Sequence, residues 1–181
     1  ERGGTLVLAG DNDQGAGNQF TGAIVVNQGT LRATHADALG SATATTGIIV
    51  RNFAALSLEA AMTIGARQLD VAGPGPTNNG ALLVTTGNAV TWGTGTTGVN
   101  WNANPNIVNV AGTLTLNATV GGGAQLTKIG GGTLEYSGTA INGNVQPVNV
   151  NDGTLILNKP AAVQAVRSTL TINDLGNFDL P

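Results

Sequence analysis

The chain repeats itself, and that repetition constrains its fold more than any other feature. The segments GGTLVLAG (3–10), GGTLEYSG (131–138) and DGTLILN (152–158) share a core. QGTLRAT (28–34) and AGTLTLN (111–117) match the same Gly-Thr-Leu-x-apolar template. Looser copies occur as AALSL (54–58), GALLV (80–84) and STLTI (168–172). The template starts at positions 4, 29, 54, 80, 112, 132, 153 and 168, with intervals of 25, 25, 26, 32, 20, 21 and 15 residues. A period of about 20–50 residues signals stacked structural units in place of one globular core.

The repeating unit reads as β. Leu6/Leu8, Leu31/Ala33, Leu114/Leu116 and Leu155/Leu157 alternate with Thr or other tolerant residues, the period-2 signature of a strand with one buried face. A second apolar strand often precedes it, as AIVV (23–26), GIIV (47–50), IVNV (107–110) and VNVN (148–151). Between the two lie Gln28-Gly29, Ala111-Gly112 and Asp152-Gly153, where Gly lets the backbone turn at positive φ. Helical periodicity is confined to Ala36–Leu39 and Pro160–Val166, the latter with Pro at a first helical position. Two strands, their corners and a return per unit make one coil of a β-solenoid. About eight such coils, spaced as hydrogen-bonded strands are, would give a rod of roughly 38 Å. In that register Leu6, Leu31, Leu56, Leu82, Leu114, Leu134, Leu155 and Leu170 form one interior column. Thr5, Thr30, Thr113, Thr133, Thr154 and Thr169 form a column on the opposite face of the strand, and the 32-residue interval holds the largest excursion.

Composition removes several function classes. Only 9% of the 181 residues are charged, against about 25% in ordinary soluble domains. Seven Lys and Arg against ten Asp and Glu leave a net charge of −3, so there is no basic face for nucleic acid. The 41% hydrophobic content is too high for disorder. With no cysteine, disulfide and thiolate chemistry are excluded. The 57 residues from Val71 to Thr127 carry no formal charge. Gly, Asn, Thr and Pro interrupt that run throughout, so it predicts a neutral polar surface and no membrane-spanning helix. The chain opens at Glu1-Arg2-Gly3-Gly4 without Met or a leader, which predicts a processed form or a segment of a longer protein.

GGTLVLAG…NQFTGAIVVNQGTLRAT…ADALGSA resembles the passenger-associated repeat of bacterial autotransporters, and LTKIGGGTLEYSG…VNVNDGTLILNK, from Leu126 to Lys159, is similar to a second copy. The two stretches cover roughly 40% of the chain. The clear repeats fall at 3–40 and 126–159, with degenerate repeats over 48–125, inside one solenoid domain spanning 1–181. The resemblance implies a right-handed parallel β-helix, placed at the bacterial cell surface or secreted, serving as stalk or adhesin segment, with no catalytic residues. The sequence departs from the family in the insertion DNDQGAGNQ, where the family makes a short turn. It also lacks room after Asn158 for the membrane-anchoring β-barrel expected downstream.

Candidate chemistry is sparse. Asp11-Asn12-Asp13-Gln14-Gly15 places two carboxylates in a Gly-rich loop, which reads as a solvated turn or, through Asp11 and Asp13, as a weak Ca²⁺ site. No other cofactor is implied. His35, the only histidine, lies in the loop segment THADALG near Asp37 and has no serine elbow to serve. The remaining carboxylates (Glu1, Glu59, Asp70, Glu135, Asp152, Asp174 and Asp179) are scattered, whereas a polysaccharide-active enzyme needs acid–base groups converging on one groove. Arg67 and Asp70 point to opposite faces if their segment is a strand. Trp92 and Trp101, with Asn102 and Asn104, form the best candidate glycan patch. Filling the solenoid interior is the favoured use of one or both indoles. Asn27, Asn109, Asn149 and Asn151 sit beside corners and suit side-chain ladders. Thr-x-Thr pairs at 113/115 and 169/171 are too irregular from coil to coil for ice binding.

These readings predict a non-enzymatic structural or interaction module, extracellular or at the cell surface. Its solenoid ends would pair with copies of itself or with flanking coils, head to tail where a filament forms. The alternative partners are surface glycans; a polysaccharide-active enzyme ranks below both.

Overall fold

The computed structural model describes residues 3–13, 19–41, 44–94 and 97–173. In chain order its first strands are β1 (Thr5–Leu8), β2 (Ile24–Val26), β3 (Gly29–Ala33), β4 (Ile48–Val50), β5 (Ala54–Leu58) and β6 (Met62–Ile64). There follow β7 (Leu69–Val71), β8 (Leu82–Val84), β9 (Ala89–Trp92), β10 (Gly98–Trp101), β11 (Asn106–Val110) and β12 (Thr113–Leu116). The last six are β13 (Thr119–Gly121), β14 (Leu126–Ile129), β15 (Thr133–Tyr136), β16 (Val148–Val150), β17 (Thr154–Leu157) and β18 (Leu170–Ile172). The described residues contain no helix. Ala36–Leu39 and Pro160–Val166, expected to be helical, form turns and irregular chain. Segments that short cannot offset the cost of helix nucleation.

The paired strands of all three sheets run parallel. A long face holds β1-β3-β5-β8-β11-β14-β16-β18, a second face β2-β4-β7-β10-β13, and a third face β6-β9-β12-β15-β17. Neighbours within a sheet are one turn apart in the chain, so the molecule is a parallel β-solenoid. Complete turns pass from the long face to the third and then the second, as in β5-β6-β7 and β8-β9-β10. Eight rungs on the long face bound about seven turns, a stack of about 34 Å at the strand spacing.

The register corrects the expected columns. On the long face Leu6, Leu31, Leu56, Leu82, Val108, Lys128, Val150 and Ile172 are stacked. Turns measured along that column take 25, 25, 26, 26, 20, 22 and 22 residues. Leu114, Leu134 and Leu155 belong instead to the third face, stacked below Met62 and Val90. Leu170 returns to the long face, paired with Val148. The threonine column divides in the same way: Thr5 pairs with Thr30 on the long face, while Thr113, Thr133 and Thr154 stack on the third.

The physical reason is that one local motif, an apolar strand, Gly and then Thr-Leu, is used at two different corners. Gly29 carries the chain from the second face to the long face, whereas Gly112 and Gly153 carry it from the long face to the third. The 32-residue interval is therefore one 26-residue turn plus a step to the next corner, with no large excursion. Gly29 shows why the corner residue is fixed: its φ is +77°, and a Cβ there would lie 2.1 Å from the carbonyl oxygen of Gly4.

Alternation follows the pleat. On the long face Leu56, Leu58, Leu82, Val108 and Val110 point inward and are fully buried. Ile48, Leu69, Val71 and Val99 do so from the second face, and Val90, Leu114, Leu116 and Leu134 from the third. A narrow three-sided interior with one apolar layer per turn explains why six aromatic residues suffice for the whole chain.

Candidate functional site

The two indoles are interior. Trp92 ends β9 beside Ile64 and Leu116, and Trp101 ends β10 beside Val71; both have 0% exposure. Trp92 Nε1 donates to the carbonyl oxygen of Arg67 at 2.8 Å. Neither ring can present a face to a sugar, so the glycan patch built on Trp92, Trp101, Asn102 and Asn104 is corrected to core packing for the tryptophans. Asn102 and Asn104 are exposed. Asn104 accepts from the backbone N–H of Gln125 through Oδ1 at 2.7 Å, which ties two turns together.

The other candidates do not converge. Asp11 accepts from the backbone N–H of Asp13 at 2.8 Å, and Asp13 forms an antiparallel bridge with Gln19. The rest of that loop, 14–18, lies outside the described residues. Among the described residues no group of three or more His, Asp or Glu could hold a metal ion. His35 accepts from the backbone N–H of Asp37 through Nδ1 at 3.2 Å, within a local turn. Glu135 stands on the outer side of β15, held by Thr115 at 3.1 Å and Asn158 at 2.7 Å. Asp152 is exposed at a corner; Asp174 and Asp179 lie outside the described residues.

Three cations are committed to the backbone. Arg67, 1% exposed, donates to the carbonyl oxygens of Phe20 (3.0 Å), Gly22 (2.9 Å) and Thr46 (3.3 Å). Its guanidinium lies 5.6 Å from the Phe20 ring centre. Lys128 sits in the inward column between Val108 and Val150 and donates to the carbonyls of Gly130 (2.7 Å) and Asp152 (2.8 Å). Lys159 donates to Ser137 (2.7 Å), Ala140 (2.8 Å) and Ala118 (3.3 Å). Burial pushes the pKa of all three below the ordinary range, opposed at Lys128 by the charge of Asp152. These side chains satisfy carbonyls of the solenoid wall, a role that no sequence motif signals.

One polar groove does gather functional side chains. On the outer side of the second face, Val25, Ile49, Asp70, Asn100 and Gly121 stack in register. Asp70 Oδ1 accepts from Asn100 Nδ2 at 2.8 Å and Asn102 Nδ2 at 3.2 Å, and its Oδ2 from Gln68 Nε2 at 2.9 Å. Across the groove Arg51 donates through Nε to Asn27 Oδ1 at 3.0 Å. Asn27, Arg51, Asn52, Asp70 and Asn102 line a depression of about 450 Å³. The sequence did carry a signal here. Val26 to Leu31 is five steps but the equivalent Val50 to Leu56 is six. The lengthened corner places Phe53, where Gly would be expected, at φ +65°.

The solenoid's two terminal rungs form a different kind of surface. Leu6, Leu8, Phe20, Ile24, Val26 and Leu31 line a cavity of about 940 Å³ at the first rung. Leu6 is 60% exposed there, and Ile172 is 79% exposed at the last. The fold thus defines a class, the parallel β-solenoid, with an amide-rich groove on one flank. Comparison with family models, with curated proteins and with solved structures gives no match in any of the three.

Proposed function

We propose that the chain is a structural segment of an exported bacterial protein: a β-helical stalk or adhesin scaffold, extracellular or on the cell surface, that works without catalysis. The observation that carries this reading is the continuous eight-rung parallel sheet combined with carboxylates that do not converge among the described residues. Stiffness is what such a stack supplies, because each rung is hydrogen-bonded to the next along the axis. The right-handed helix and the export both come from the autotransporter resemblance.

The terminal rungs support a role in lengthwise contact. The outer edges of β1 and β18 have no strand beyond them among the described residues, and each end exposes apolar side chains. Like rungs would cover them, whether flanking coils of a parent chain or a second copy meeting head to tail. Contacts of that kind propagate into a filament. Negative-stain microscopy over a rising protein concentration, with small-angle scattering, tests the reading. Rods of uniform width are expected, lengthening with concentration where copies stack. A flexible, non-rodlike particle would overturn the stalk, and turnover of a polysaccharide would overturn the absence of catalysis.

A further inference from the structure

We propose that the outer groove of the second face binds a neutral saccharide, with Phe53 as the stacking surface and the Asp70–Arg51 amide network as its polar contacts. The site shares Asn102 with the patch read from the sequence, but it lies on the outer wall, without the buried Trp92 and Trp101.

The hydrogen-bond directions favour such a ligand. Asn100, Asn102 and Gln68 each spend an amide N–H on Asp70, so an amide has its carbonyl oxygen turned from the carboxylate. Asn27 spends its oxygen on Arg51 Nε, which leaves the Asn27 NH₂ and the terminal guanidinium nitrogens of Arg51 as donors. The groove therefore carries both donors and acceptors. A hydroxyl is both donor and acceptor, so a run of vicinal hydroxyls matches that pattern. The charges of Asp70 and Arg51 cancel, which removes the attraction that would select a polyanion.

Phe53 supplies the second, independent observation. It follows Asn52 of the groove directly, is 58% exposed and has φ +65°. A bulky residue in the left-handed region is strained, and an exposed ring regains little of that through packing. Strain retained at an exposed aromatic marks a surface kept for contact, and an aromatic face suits the C–H face of a sugar ring.

The test is a titration of the ¹⁵N-labelled full chain, following side-chain amide and Arg Nε–H resonances, with maltotriose, cellotriose, galactotriose and chitotriose as neutral probes and trigalacturonate as the acidic one. At least one neutral probe is expected to shift Asn27, Asn102 and Arg51 saturably, with a dissociation constant of about a millimolar. Phe53→Gly, which keeps the corner's backbone conformation, is expected to weaken it by about tenfold or more. Thr63→Ala, on the third face, should leave it unchanged. No saturable shift with any neutral probe, equal affinity in Phe53→Gly, or binding of trigalacturonate alone would each overturn the proposal.

Discussion

Trp92 and Arg67 form one buried unit: the indole Nε1 donates to the Arg67 carbonyl at 2.8 Å, while the Arg67 guanidinium donates to the carbonyls of Phe20, Gly22 and Thr46. Three successive turns are thereby joined by a cation that has no carboxylate partner among the described residues. Arg67→Met keeps much of the volume but removes every donor, leaving those carbonyls without it. A loss of about 2–3 kcal/mol is expected, read as a lowered urea midpoint. Arg51→Met, at an exposed position, should move the midpoint far less. Equal effects would mean that Arg67 contributes by charge alone.

Burial of both tryptophans has a spectroscopic consequence. With Trp92 and Trp101 at 0% exposure, native emission should be shifted to shorter wavelength than in the unfolded chain. Iodide should quench the unfolded form strongly and the native form little. The neutral trisaccharides that move Asn102 should leave this emission unchanged, because their site is on the outer wall. A sugar-dependent change in emission would place the ligand near the indoles instead.

Acid should weaken one specific contact. Arg32 on β3 donates to Glu59 through Nε at 2.8 Å and through its terminal nitrogen at 2.5 Å. That hydrogen bonding holds the Glu59 carboxyl below its usual range, against the upward push of burial and with help from Ser57. The folded pKa is depressed, so the unfolded chain binds the proton more readily. The contribution is complete above the ordinary carboxylate pKa and is lost as pH falls through the folded value. Glu59→Gln should lower Tm slightly at neutral pH, as for other exposed pairs, and the gap should close as pH falls below the folded value. A gap that persists there would assign the effect to packing.

What was legible in the sequence follows from how local each signal is. Alternation in Thr-Leu-Thr-Leu of β12 fixes a strand with one buried face, and Gly at a tight corner fixes a turn. Those signals sufficed for a β-solenoid of the right size and for placing Asp152 at a corner. They could not say which corner a Gly-Thr-Leu motif occupies. Gly29 and Gly112 look alike in sequence but turn the chain between different pairs of faces, so one leucine column was expected where there are two. Lys128 was illegible for a related reason: only register shows that it replaces a leucine-like residue in an inward column. The Asp70 groove depends on residues from turns about 30 apart in sequence, such as Asp70 and Asn100, and no short motif records that proximity.

Phe53 gives the sharpest test of whether strain is being held for a purpose. At φ +65° a phenylalanine carries a cost of about 1–2 kcal/mol that glycine does not. The residue is 58% exposed, so removal of its side chain sacrifices limited buried area. Glycine also gains freedom in the unfolded chain, which offsets part of the relief. Phe53→Gly is therefore expected to raise stability by up to about 1 kcal/mol, seen as a higher urea midpoint and a higher Tm. Stability and saccharide affinity should move in opposite directions in this one variant, because the ring is costly to the fold and useful only to a ligand. A fall in stability by more than about 1 kcal/mol would show the ring to be packing that the fold requires, and would remove the strain argument for the site.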